Sequence, residues 1–427
     1  VSSTVRTVRG ANIWVLLIIA VIILGFIVWQ QRDSSPQAAD PGPVSALGAS
    51  ADEPDPSELS APLNRLERAW RQGDRNRFIA AAGNTSAARS WGAQAYDNLQ
   101  RLGVKSIDLS LAPATAAQQP YTRNDGTFTA QVEVSWVPGA RSGLPARATD
   151  SATVAMHVRA DSRLSVEGAA ATEDPMPVWL VGALDVTRTG DSVVVRVDGG
   201  TNEPRMRTML QRAMADVRRV YGKPQHDAFV VMPRTVSQSS AIIGGGRSRL
   251  NQIAAITTTL DGSNASNGPV AVVLNPEVFT PMNARATQIV LTHETTHEAT
   301  NAATAVLPLW VAEGYADYVA LSRDELSPIR SASQILARVR KDGPPNALPS
   351  DDDFSASAGL GATYESAWMA FRMLGETYGD DAVTKFYRQV LGGTSTDVAA
   401  RRVFDTELAQ ITRDWRANLE YWAARPR

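Results

Sequence analysis

His293 and His297 stand four residues apart in the run His-Glu-Thr-Thr-His. That spacing constrains the local fold: on a helix, positions i and i+4 share a face, so two imidazoles can meet one metal ion. Glu294 then lies beside that ion, where it can take a proton from a water. Ile289, Val290 and Leu291 lead into the run and give the helix an apolar side to bury. Thr295 and Thr296 are poor helix formers, so tertiary burial has to offset their propensity. The chain spends two of its four histidines here and has no cysteine. Disulfides, thiolate nucleophiles and Cys-held metals are thereby excluded, and a metal must be bound by histidine and carboxylate.

A third protein ligand is needed, with the fourth position left open. The metzincin pattern would require Gly and His shortly after the second histidine, but positions 300 and 303 are Thr and Ala. What remains is a glutamate from a second helix. Glu313 fits, in the segment Trp310-Val-Ala-Glu-Gly-Tyr-Ala-Asp317. Asp317 lies one turn further on the same face, placed to accept the second N–H of a ligating histidine and fix its tautomer.

The rest of the chain sets the context. Net charge is −2, from 42 basic and 44 acidic residues, so there is no basic field for nucleic acid. Only four of the basic residues are lysines; with the many alanines this points to a GC-rich, actinobacterial genome. Residues 13–29 form an uninterrupted apolar run bracketed by Trp14 and Trp29. Seventeen helical residues reach about 26 Å, enough to cross a hydrocarbon core with help from flanking groups. Arg6 and Arg9 precede the run, so the expected topology is a cytoplasmic N-terminus (1–12), one uncleaved membrane span (13–29) and an extracytoplasmic remainder. Residues 30–57, rich in Pro, Ser, Ala and Asp, read as a disordered linker.

Beyond the linker, helical spacing through Leu63, Leu66, Trp70 and Phe78, interrupted at Gly73-Asp74, precedes β alternation in 128–137 and 152–158. Further β signals fall near 164–166 and 178–184. This is a small α+β domain, 58–175, with a faint resemblance to nuclear transport factor-like domains. Residues 176–427 follow as a second domain. Strands at 192–197, 228–232, 253–259 and 270–274, with a helix at 204–220, lead into the histidine helix, and the chain is helical after it. The expected class is α+β: a small mixed sheet with a helical C-terminal lobe, preceded by the smaller α+β domain and one transmembrane helix.

His293-Glu294-x-x-His297 followed by Pro308-x-Trp310-x-x-Glu313-Gly314-x-Ala316-Asp317-Tyr318 resembles the gluzincins, the thermolysin and aminopeptidase N group. It most resembles the short peptidase MA-like domains of bacterial envelope proteins, over roughly residues 180–427. The resemblance implies a zincin-like fold and one Zn²⁺ held by His293, His297 and Glu313, with Glu294 as general base and a peptide as substrate. Tyr364, in Tyr-Glu-Ser-Ala-Trp, matches by order and spacing the tyrosine that stabilises the oxyanion in aminopeptidase-type members. Two departures stand out: the gap from His297 to Glu313 is shorter than in the large members, and the Gly-x-Met-Glu-Asn segment that grips a free amine is missing. Endopeptidase action is therefore expected over aminopeptidase action, with Val270–Leu274 as the edge for an added peptide strand. The competing expectation is a non-catalytic envelope protein that keeps the fold for peptide binding or scaffolding.

Other features have plain readings. His157 and His226 are expected to be surface or structural residues, and Gly244-Gly245-Gly246-Arg247 lacks the ending of a phosphate loop, leaving a mobile loop near the cleft. Asp351-Asp352-Asp353 lacks the spaced ligands of a calcium loop and reads as a turn or helix cap. Arg401, Arg402 and Arg413 read as a solvated face.

Overall fold

Gly73, in the left-handed region at φ 66°, and Asp74, whose side chain accepts from the Arg77 N–H at 2.9 Å, end one helix and cap the next. The computed structural model describes residues 56–426 except 114–120, 125–126, 161–163, 201–202, 225–226, 247–249, 251–252 and 356–358. The expected membrane span, most of the linker, His226 and Arg247 lie outside the described residues. Among those described, no helix is long and apolar enough to cross a membrane.

The first unit has helices α1 (Pro56–Arg71), α2 (Arg75–Ala82) and α3 (Ser86–Leu102), followed by strands β1 (Val104–Leu111), β2 (Tyr121–Asn124), β3 (Thr127–Pro138), β4 (Ala152–Ala160) and β5 (Leu164–Ala170). The strands form one antiparallel sheet, ordered β1-β3-β4-β5 with β2 beside β3. Strict alternation along β3 sends Phe128, Ala130, Val132, Val134 and Trp136 inward, where Leu63, Leu66, Phe78 and Leu99 of the helices join them in one core. His157, on β4, is exposed.

The expected strand over 178–184 is absent but for its last residue, Leu184. Val178–Val181 is one helical turn, α4, after Pro177, and extended structure starts at β6 (Leu184–Thr189). Four apolar residues in a row do not distinguish a buried turn from a buried strand. Buried Asn98 of α3 settles the outcome here: its amide donates to the carbonyls of Trp179 (2.9 Å) and Gly182 (2.7 Å), and its oxygen accepts from the Leu184 N–H (2.9 Å).

The second sheet adds β7 (Ser192–Val197), β8 (Ala228–Met232), β9 (Ala255–Thr259) and β10 (Val270–Leu274) in the order β6-β7-β8-β10-β9. It is mixed: β7–β8 and β8–β10 are parallel, the outer pairs antiparallel. Val195, Val231 and Val273 face the core of the first unit, whereas Val194, Val230 and Val272 face helices α5 (Glu203–Val220) and α8 (Ala284–Thr300). Covering both faces is why β8 and β10 are unbroken apolar runs. Short helix α6 (Val236–Ile243) lies between β8 and β9, and α7 (Pro276–Phe279) leads from β10 into α8. The Gly244–Gly246 loop packs back on the linking segment, with the Gly245 N–H donating to the Glu173 carbonyl at 2.8 Å.

The sheet order corrects one expectation. Val270–Leu274 is not an edge, because β8 and β9 flank it on both sides; among the described residues the sheet ends at β9 on that side and at β6 on the other. After α8 come α9 (Leu309–Ala320), α10 (Pro328–Ser331), α11 (Ser333–Asp342), α12 (Asp351–Ser355), α13 (Leu360–Tyr378), α14 (Asp380–Leu391), α15 (Thr396–Phe404) and α16 (Leu408–Ala423). They enclose a separate core around Tyr315, Phe371, Phe386 and Trp415. Arg401, Arg402 and Arg413 are exposed on it.

Candidate metal centre

Helix α8 is buried on every side from Ile289 to Thr300. Most of its threonines fit because their hydroxyls are occupied locally: Thr292, Thr296 and Thr300 donate to the carbonyl one turn back at 2.9, 2.7 and 2.8 Å, while the buried Thr295 hydroxyl has no partner among the described residues. Asn283 caps the first turn, accepting from the Ala286 N–H, and Asn301 ends the helix in the left-handed region. The partner helix α9 begins after Pro308. Asp351, from the acidic run, accepts from its first N–H, that of Leu309, at 2.8 Å. The expected cap thus also fixes the helix that carries Glu313.

The two helices bring His293, His297 and Glu313 together, with one ligand atom from each within 4.8 Å of the others. Nε2 of His293 is 3.0 Å from Nε2 of His297 and 3.1 Å from Oε2 of Glu313, which is 3.4 Å from the second imidazole. Asp317 takes the far nitrogen of His293, with Oδ1 2.8 Å from Nδ1. A neutral His293 donating to Asp317 therefore turns its Nε2 lone pair toward another ring nitrogen and a carboxylate. Ligand atoms converging in a buried pocket favour a cation between them, and two nitrogens and one oxygen fit a small divalent metal with an open fourth position. The surrounding carboxylates favour a positive charge at this point, whether it is carried by a metal or, without one, by a proton on His293. Burial opposes a charged His293, but the Asp317 and Glu313 carboxylates outweigh it and hold the imidazole well above its usual range. Burial likewise opposes an ionised Glu313, and the two histidines overcome it, drawing the carboxyl down to about 2.

Glu294 is buried beside this triad, and burial raises its carboxyl above the ordinary value. Its Oε2 accepts from the Thr257 hydroxyl of β9 at 2.6 Å, while Oε1 has no hydrogen-bond partner among the described residues. Tyr364 of α13 is buried edge-on against Phe354, with ring centroids 4.9 Å apart. Burial, then the charges of Glu313, Asp317 and Glu294, push its phenol well above the usual range, and its hydroxyl is in hydrogen-bonding contact with Glu313. All six residues singled out in the sequence therefore lie in one buried cluster. Two contacts were not foreseen: the Thr257 hydroxyl on Glu294, and Glu298, whose Oε1 accepts from the Phe229 N–H of β8 at 2.6 Å. Strand alternation could have flagged Thr257 as a polar side chain sharing a face with Ala255 and Thr259, but nothing local names its partner.

No family model matches the chain, and no curated protein matches it. Among solved structures it is similar to an M1 zinc metallopeptidase from Deinococcus radiodurans, at 14% identity and a TM-score of 0.33, covering 75% of this chain and 62% of that one. It is also similar to an alanine mutant of a two-domain M1 zinc metallopeptidase bound to L-arginine, at 13% identity and a TM-score of 0.33, covering 75% and 61%. The chain spans less than two thirds of either protein.

Proposed function

We propose that the chain is a zinc metallopeptidase of gluzincin type that cleaves internal peptide bonds, anchored to the membrane by residues 13–29 with its folded part outside the cytoplasm. The observation that carries this is the convergence of His293, His297 and Glu313 beside a buried carboxylate with one unoccupied oxygen. When bound, zinc supplies Lewis acidity, making a water acidic and a carbonyl electrophilic. The residues do the rest. Asp317 orients His293; Glu294 accepts the water's proton on Oε1 and returns it to the leaving amine; Tyr364 donates its phenolic hydrogen bond to the developing oxyanion.

Endopeptidase action is favoured because the outer strand β9 (Ala-Ile-Thr-Thr-Thr) carries no carboxylate to grip a free amine. Its outer edge pairs with no strand among the described residues and suits an extended peptide. The anchoring rests on the sequence of 13–29 alone.

The test uses the purified full chain: zinc per chain, and hydrolysis of a broad peptide library with fragments identified by mass. The expected result is one zinc, internal cleavage, and a loss of about a hundredfold or more in Glu294→Gln with zinc retained. Zinc content unaffected by His293→Ala would overturn the site. Zinc without cleavage across the library would support the scaffold instead.

A further inference from the structure

We propose that Thr257 is a positioning residue for Glu294, fixing which carboxylate oxygen meets the water, and that it acts from the strand on which the substrate pairs. This rests on Glu294 being the proton acceptor.

The carboxylate is held unevenly. Oε2 lies 2.6 Å from the Thr257 hydroxyl, within the range of charge-assisted O–H···O⁻ bonds, and Oε1 has no partner among the described residues. The same hydroxyl is 3.1 Å from the Glu294 backbone carbonyl. A hydroxyl has one proton to give, and the shorter contact to the charged oxygen takes it. The terminal torsion of a glutamate is broad, so without this bond the two oxygens can exchange places.

Thr257 is suited to the task by its own stiffness. Its β-branched side chain has restricted rotamers, and its backbone is locked opposite Val272 of β10. A lysine or arginine there would also orient the carboxylate, but by ion pairing that lowers its basicity; a hydroxyl orients it at less cost to basicity. Because β9 ends the sheet among the described residues, a peptide adding to its outer edge pairs with the strand that holds the base. Substrate docking and base orientation thus share one short segment, and Thr257 links them.

The test replaces the hydroxyl in the full chain with Thr257→Val, which keeps the shape, and with Thr257→Ser, which keeps the donor. The probe is acetohydroxamic acid, a small metal chelator whose hydroxyl passes its proton to a neighbouring carboxylate. Its affinity is read from the visible spectrum of the cobalt(II)-substituted protein, so no turnover is needed. Thr257→Val is expected to bind it at least about tenfold more weakly than wild type, with metal content unchanged, and Thr257→Ser to bind within about threefold of wild type. In Glu294→Gln, adding Thr257→Val is expected to cost nothing further, because the hydroxyl acts through the carboxylate. With a cleaved peptide, Thr257→Val lowers kcat and leaves KM nearly unchanged. Equal affinity in wild type and Thr257→Val, equal losses in Val and Ser, or additive losses in the double variant would each overturn the assignment while leaving the metallopeptidase reading intact. Failure of the wild type to take up metal would overturn both.

Discussion

Oδ1 of Asp317 lies 2.8 Å from Nδ1 of His293, and its second oxygen has no partner among the described residues. The side chain's directed bonding is thus spent on one imidazole, whose tautomer and ring plane it sets. Asp317→Ala is expected to weaken zinc binding by about 10- to 100-fold, measured by competition with a chromophoric chelator. Asp317→Asn keeps an oxygen acceptor and should lose less. An unchanged dissociation constant in the alanine variant would remove Asp317 from the site's function.

Gly314 follows the ligand Glu313 on α9, where that helix crosses α13. A Cβ at this position would stand 2.7 Å from Cδ2 of Phe371 and 2.8 Å from the Ala367 carbonyl oxygen. Alanine is the better helix former by about 1 kcal/mol, yet overpacking at a buried crossing costs about 1–3 kcal/mol. Gly314→Ala should therefore lower the melting temperature and, by shifting Glu313, weaken zinc binding as well. A higher melting temperature would show that the helices part without strain.

The convergence of His293, His297 and Glu313 was legible because most of its spacing is local. The four-residue step from His293 to His297 dictates a shared face, and with no further histidine or any cysteine after His297 the third ligand has to be a carboxylate, which Glu313 supplies. The alternation of 128–137 was legible for the same reason, since it follows from the period of a strand, and 228–232 read as a strand from its apolar run. What escaped depends on order in space. Whether 270–274 is an edge is decided by β9 folding back beside it, and Thr257 meets Glu294 across 37 residues of sequence. Val178–Val181 is helical because Asn98, some 80 residues earlier, takes up its free carbonyls.

Glu365, next to Tyr364 on α13, is buried, and burial pushes its carboxyl up to about 8 against the pull of two backbone N–H groups, those of Ile335 and Gln334 at the start of α11. The group is raised from an ordinary 4.5, so between these values the folded protein binds a proton that the unfolded chain does not. Its contribution to stability is therefore largest at low pH and declines as pH rises from about 4.5 to about 8. Glu365→Gln keeps an acceptor for both N–H groups and cannot ionise. The drop in melting temperature between pH 5.5 and 8.5 should be smaller in the variant than in wild type, and an equal drop would show that Glu365 does not drive it.

Asn98 joins the two units, and its buried amide satisfies two carbonyls and one N–H of the segment between them. The first core continues past that segment into Val195, Val231 and Val273 of the second sheet, so the α+β unit shares its core with that sheet. The folded part should then unfold in a single calorimetric transition. Asn98→Ala leaves three buried backbone groups unpaired and should destabilise by about 2–4 kcal/mol, lowering that one transition without splitting it. Asn98→Asp keeps the acceptor for Leu184 but turns a negative oxygen toward the Trp179 and Gly182 carbonyls. It should be at least as damaging at pH 7 and recover in acid, where the protonated carboxyl can donate again. Two transitions in the wild type, with only the first moved by Asn98→Ala, would mean that the units fold independently and that the shared core adds little.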